Sequence, residues 1–217
     1  MLALAACTTV TLKTAELQPA DFATGASGIA GSCCYCLSAG HIPPNAFSAG
    51  DGQVMVGTDD YFKPGAQPFP CDDLRASNFR AGIRFDLSQF DSIGAATLMF
   101  DTVNFVSRVN GETVSSSPPN SVATMNGMAT QPFNNQMNAD NDVTLPAGSG
   151  TLSVGVSSQV HDWVTNAHPN FGFVFWGPRG PIDRKNVPKD NDAMVSWYQN
   201  FRLNIVYDPT QNPRAPQ

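Results

Sequence analysis

The sequence predicts an all-β fold: a single antiparallel β-sandwich, jelly-roll-like, with one short helix near residues 157–166. Three observations lead there. Charged residues make up only 14% of the 217-residue chain, with 18 glycines and 17 prolines spread through it, whereas an ordinary soluble protein carries about 25% charge. Several short runs alternate apolar and polar residues, each bounded by turn-forming clusters. Only one stretch has the helical period, and it is too short to build a layer of its own. The length is sufficient for one real core.

Taken in order, the first β-prone run is Gln53-Val54-Met55-Val56, followed by a loop from Lys63 to Pro70 too rich in proline for a central strand. Arg80 to Leu87 alternates, with Ile83, Phe85 and Leu87 on one face and Arg84 and Asp86 on the other. Ala95 to Val103 does the same through Ala96, Leu98 and Phe100. The polar segment from Asn110 to Asp142 holds two weaker candidates, Val122 to Met125 and Met128 to Phe133, and Thr151 to Val156 alternates again. Val156, Val160, Trp163 and Val164 then fall at i, i+4, i+7 and i+8, a helical stripe with Ser157 or Ser158 as N-cap and Asn166 near the stop. The aromatic run Asn170 to Trp176 and the alternating run Asn200 to Tyr207 supply the last strands, and Pro209 and Pro213 end the domain.

The start of the chain gives an address. Leu4-Ala5-Ala6-Cys7 resembles the end of a bacterial lipoprotein signal peptide, whose motif is Leu, small, small, Cys. The resemblance implies cleavage before Cys7 and lipid on its thiol and new amino terminus. Such a peptide carries a basic n-region and a longer apolar core, so a translation start upstream of Met1 is expected. The expected organisation is therefore a partial signal peptide over 1–6, a flexible tether over 7–32, the β-sandwich domain over 33–209 and a disordered tail over 210–217. No run approaches the ~18 apolar residues of a membrane-spanning helix. The localisation expected is the bacterial cell envelope, lipid-anchored and extracytoplasmic.

Gly31-Ser32-Cys33-Cys34-Tyr35-Cys36 concentrates three of the five cysteines. With Cys7 lipidated, Cys33, Cys34, Cys36 and Cys71 remain, an even set in an oxidising compartment. Adjacent cysteines pair only with strain, so a bond from the cluster to Cys71 is the firmest expectation. Its loop of about 35 to 38 residues contributes about 3 to 4 kcal/mol in the chain-entropy picture. A four-thiolate zinc site would use the same residues, at a spacing poor for a structural clamp.

Three segments in order, Arg84-Phe85-Asp86-Leu87-Ser88 with Ala95-Ala96-Thr97-Leu98, Ser157 to Trp163 with Asn170 to Val174, and Phe201 to Tyr207, are similar to the DNRLRE (disaggregatase-related) β-sandwich family, which resembles carbohydrate-binding modules. The resemblance covers residues 80 to 207. It implies a jelly-roll-like sandwich on cell-surface proteins, often beside carbohydrate-active domains and in some members binding polysaccharide. It transfers no catalytic residue.

Function classes follow. The net charge is -6 and the 12 Lys and Arg do not cluster, which excludes a nucleic-acid footprint. His41, His161 and His168 accompany no nucleophile motif, and His161 reads as a surface histidine on the helix. Asp59-Asp60, Asp72-Asp73 and Asp101 are the carboxylates a glycosidase would need, but spacing alone does not pair them. No enzymatic activity is expected. Asp140 with Asp142 and Asp190 with Asp192 are weak calcium candidates in loops, without EF-hand spacing. Glycans present apolar C–H patches beside hydroxyls, so aromatic faces with polar neighbours suit them. Trp176, Arg179 and one of Trp197 or Tyr198 form the candidate platform, since at most one of that adjacent pair faces the core. The expected function is non-catalytic surface recognition, with polysaccharide as ligand. A structural or assembly lipoprotein binding a protein partner is the alternative, and a glycan-active enzyme comes third.

Overall fold

The computed structural model describes residues 11–32, 38–39, 52–63, 73–109, 112–125, 143–177 and 193–216. In these, twelve strands and one helix follow one another. They are β1 (Lys13–Leu17), β2 (Asp21–Ser32), β3 (Ser38–Ala39), β4 (Val54–Lys63), β5 (Asp73–Arg84), β6 (Ala95–Val109), β7 (Glu112–Thr113), β8 (Ser121–Thr124), β9 (Val143–Thr144), β10 (Gly150–Gly155), α1 (Ser157–Val164), β11 (Phe173–Trp176) and β12 (Ala193–Tyr207). The fold is all-β with a single short helix, as the alternation predicts. The expected strand at Met128 to Phe133 lies outside the described residues.

Every described pairing is antiparallel, and one ladder runs β10-β6-β12-β4-β5-β11-β8-β9. Strand β12 organises it. One edge of β12 is taken by β6 along most of its length, and the other by β4 from Ala193 to Tyr198 and then by β1 from Leu203 to Tyr207. Between those two partners the β12·β6 register shifts twice, at Trp197/Tyr198 and at Gln199/Arg202. Such irregularities bend a strand and increase its twist, and here the ladder turns back so that its two limbs face each other. The ring of Phe175 on β11 meets Phe100 on β6 and Phe201 on β12, each at 5.2 Å and edge-on. Ile83, Phe85, Leu98, Leu203 and Ile205 complete this sandwich-like core.

Helix α1 plugs one end. It buries Val160, Trp163 and Val164, and the Trp163 ring packs on Phe173 at 4.7 Å. The expected serine N-cap is not formed, because Val156 holds the cap position without a side-chain bond. Ser157 Oγ instead accepts from the Ala96 N–H at 3.0 Å and donates to the Ala96 carbonyl at 3.3 Å, tying the helix to the start of β6. The helix stops at Val164 rather than 166, with Asn166 left-handed at φ 57°.

Two segments differ from expectation. The described part of the 7–32 tether contains β1 and β2, paired to β12 and β5. Only Ala15 of β1 is buried, so no apolar period announces the strand. What holds it is the backbone edge of β12, whose polar groups need partners. The expected disordered tail is also docked over residues 210–216. Asn212 is fully buried, its Oδ1 accepting from the Asp91 and Ser92 N–H groups at 2.8 and 3.0 Å and its Nδ2 donating to the Asp208 carbonyl at 2.8 Å. Tyr207 donates to the Pro216 carbonyl, and Arg214 pairs with Asp91.

Candidate functional site

Of the residues singled out in the sequence, Cys7, Cys33, Cys34, Cys36, Cys71, Arg179, Asp140, Asp142, Asp190 and Asp192 lie outside the described residues. Trp176 ends β11 and is half-buried. Trp197 and Tyr198 are both buried, at 7% and 3% exposure, so neither offers a ring face to solvent and the expected aromatic platform is not built from them. They do point to opposite sides. Tyr198 enters the main core against Phe100, while Trp197 packs on the other face with Phe79 and Val195. That second face is covered too, which alternation alone cannot reveal. The Tyr198 hydroxyl receives a 2.9 Å bond from Asn120 Nδ2, and burial pushes its pKa up.

Burial marks out one sheet surface that is open. Across β12, β4 and β5 the outer face carries the buried Val195, Trp197 and Phe79, and across β11 and β8 it carries Val174 and Ala123, both buried. The outer face of β10-β6-β12-β1 is different. Its cross-strand rows are Thr151 with Asp101, Ser153 with Met99 and Arg202, and Thr97 with Asn204 and Glu16. All of these are half-buried or exposed, and all but Met99 are polar.

A hydrogen-bonded cluster on this face is centred on Asp101. Its Oδ1 accepts from Thr151 Oγ1 at 2.7 Å and its Oδ2 from Asn200 Nδ2 at 2.8 Å, with Arg202 at 3.5 Å. These groups hold the carboxyl below the usual aspartate range, Asn200 contributing most, then Thr151, with a smaller pull from Arg202. The second irregularity of β12 places Asn200 there, in a left-handed turn at φ 53° between Gln199 and Arg202. Bulges re-aim side chains in this way. Neighbouring Asn204 points its Nδ2 at the Met99 sulfur, 3.1 Å away.

The arrangement presents a charged acceptor, an amide, a guanidinium, hydroxyls and one thioether on one sheet face. That set can hydrogen-bond a polyhydroxyl chain and cover a small apolar patch. Glycoside cleavage needs a second carboxyl across the bond; the described partners of Asp101 are Thr151, Asn200 and Arg202. Among the described residues no group of three or more His, Cys, Asp or Glu is placed to hold a metal ion, and no helix is long and apolar enough to cross a membrane. His161 is exposed, in keeping with a surface histidine. Sequence reading singled out Asp101 only as a candidate carboxylate for glycoside cleavage, with no partner assigned to it. Its partners Thr151 and Asn200 are 50 and 99 positions away, and the only local hint was an Asn ahead of an alternating strand. No protein-family model matches the chain, and no curated protein matches it.

Proposed function

We propose that the protein is a lipid-anchored, non-catalytic β-sandwich module of the bacterial envelope that recognises polysaccharide at the cell surface, in the manner of the DNRLRE-like and carbohydrate-binding sandwiches it resembles. The observation that carries the reading is the open face of β10-β6-β12-β1, a polar surface with a pre-set hydrogen-bonding network around Asp101. Parts of the other described outer surface are covered by packing around Trp197 and around Val174. Lipid on Cys7 provides the anchor, and a soluble body presents the face to solvent.

Exposed apolar surface favours a glycan over a protein partner. Among the described residues the large exposed hydrophobics are Leu12 and Val103, single side chains rather than the several hundred square ångströms of a contact patch. The test is a glycan-array screen of the soluble domain beginning after Cys7, followed by titration of the best ligand against Asp101→Ala and Arg202→Ala. Each variant is expected to weaken binding about tenfold or more, the loss of one to two charge-assisted hydrogen bonds. Binding unchanged in both variants, or no polysaccharide bound at all, would sink the proposal.

A further inference from the structure

We propose that Asn204 and Met99 are the specificity-determining pair of the open face, the Asn204 amide taking two neighbouring hydroxyls of a sugar ring while the Met99 thioether packs on that ring's C–H patch. The ligand class this names is a neutral polysaccharide with unsubstituted vicinal diols, and the inference rests on the polysaccharide reading above. Asn204 lies on β12 in one cross-strand row with Thr97 of β6 and Glu16 of β1. Met99 and Arg202 oppose each other in the next row, and alternation puts both rows on the same face. Thr97, Met99, Arg202 and Asn204 are half-buried and Glu16 is exposed, so a chain lying on this face passes over the amide.

The balance of donors and acceptors singles out Asn204. An asparagine amide carries two donor hydrogens and an acceptor oxygen. Around Asp101 such capacity is used within the protein, since Thr151, Asn200 and Arg202 all turn to its carboxylate. Asn204 instead points its Nδ2 at the Met99 sulfur, at 3.1 Å, and a thioether is a weak acceptor. Its Oδ1 is buried and has no hydrogen-bond partner among the described residues, a condition native structures avoid. A ligand that supplies both a donor and an acceptor relieves it. Two adjacent hydroxyls do so, one donating to Oδ1 and the other accepting from Nδ2. A carboxylate only accepts and leaves Oδ1 unmet, while an ammonium group only donates; the net charge of -6 also repels polyanions. Met99 is unbranched with three rotatable bonds, and swinging off the amide costs it one weak contact. The movement opens the amide and turns sulfur and methyl group toward the apolar side of the ring, the part an aromatic side chain would otherwise play.

The test titrates the full chain by calorimetry with soluble galactomannan, dextran and soluble starch, whose rings keep neighbouring hydroxyls. Each is used before and after periodate oxidation, which cleaves vicinal diols, and laminarin, whose main-chain rings have no such pair, is titrated beside them. Oxidation is expected to weaken binding about tenfold or more, and laminarin to bind about tenfold more weakly or not at all. Asn204→Leu removes the amide and the unmet acceptor together, so it should lose about tenfold in affinity at a Tm equal to or above wild type. A merely structural amide would lower Tm and leave affinity as it was. Met99→Ser should weaken binding about fivefold through lost apolar contact. Oxidised polymers bound as tightly as untreated ones, laminarin bound as tightly as the rest, or full affinity in Asn204→Leu overturns the inference. Loss of binding in Asp101→Ala with Asn204→Leu intact refutes this pair alone, whereas no polymer bound by wild type refutes polysaccharide recognition itself and the pair with it.

Discussion

Asn200 separates the strain of the β12 bulge from the hydrogen bond that the bulge creates, and two substitutions there give opposite weight to each. In the native chain it sits at φ 53° and donates to Asp101 Oδ2 at 2.8 Å. Asn200→Gly loses the hydrogen bond but suits the left-handed backbone. Asn200→Ala loses the same bond and keeps the Cβ in that conformation without the polar side chain that lets asparagine tolerate it, so it stays about 1 to 2 kcal/mol worse than glycine there. An amide-to-carboxylate bond contributes about 1.5 to 3 kcal/mol when buried. The Asp101 side chain keeps 23% of its exposure, and discounting for water brings the figure to about 1 kcal/mol. Asn200→Ala is therefore expected to cost about 1 to 2 kcal/mol, while Asn200→Gly, which also relieves the native strain, costs about 1 or less, a Tm loss in a chain of this length of about 2 to 8 °C against about 4 °C at most. Urea unfolding of both variants from pH 7 to pH 2 tests the electrostatic part. The Asp101 pKa is depressed by the fold from 3.8, so its contribution is complete above that value and is lost as pH falls through the folded pKa. The gap between wild type and Asn200→Gly should close at the acid end. An alanine variant as stable as the glycine one, or a gap that persists in acid, would refute the assignment of strain and bond.

Three further outcomes follow from described geometry. A Cβ on Gly57, at φ 141°, would stand 1.9 Å from the Met194 carbonyl, so Gly57→Ala should cost about 3 kcal/mol or more; Gly52→Ala, with nothing within 4 Å of the added carbon, serves as the control at about 1 kcal/mol, both read by denaturant midpoint. Asn212→Ala removes one acceptor and one donor from a fully buried junction and should cost about 2 to 3 kcal/mol, with faster proteolysis of the chain after Tyr207 as its signature. The Asp59 carboxyl is raised by burial, with Arg108 pulling the other way, so its contribution is fullest in acid and is lost as pH rises through its folded pKa. Asp59→Asn should therefore raise Tm at pH 7 and leave it unchanged near pH 3, a comparison made by calorimetry at the two pH values.

Most strands that sequence reading found have one wet and one dry face, while β11, buried on both, was found from its aromatic run. Ile83 with Phe85, Leu98 with Phe100, and Leu203 with Ile205 each alternate with polar residues, and each proved to be core. Strands outside that condition left no such trace. The first half of β12 is buried on both faces from Val195 to Tyr198, so it shows no alternation, and β1 buries one alanine and shows none either. The tail was read from Pro209 and Pro213 as the end of structure, yet it is docked, above all by Asn212, whose partners are 121 and 120 positions away.

The same limit explains the fate of the aromatic platform. Alternation correctly sends Trp197 and Tyr198 to opposite sides of β12, but period two says only which side a residue takes, never whether that side is covered. Coverage depends on which strands lie alongside, and on β12 the neighbour changes from β4 to β1 at the bulge. Before the bulge the outward side chain is Trp197, packed against Phe79; after it the outward side chains are Arg202 and Asn204, half-exposed beside Asp101 and Met99. Asn200 sits at the change of partner, between the β4-paired and the β1-paired parts of β12. The first irregularity follows the buried Trp197, the second swings an amide onto Asp101, and the open polar face lies on the half of β12 where the aromatic residues have turned inward.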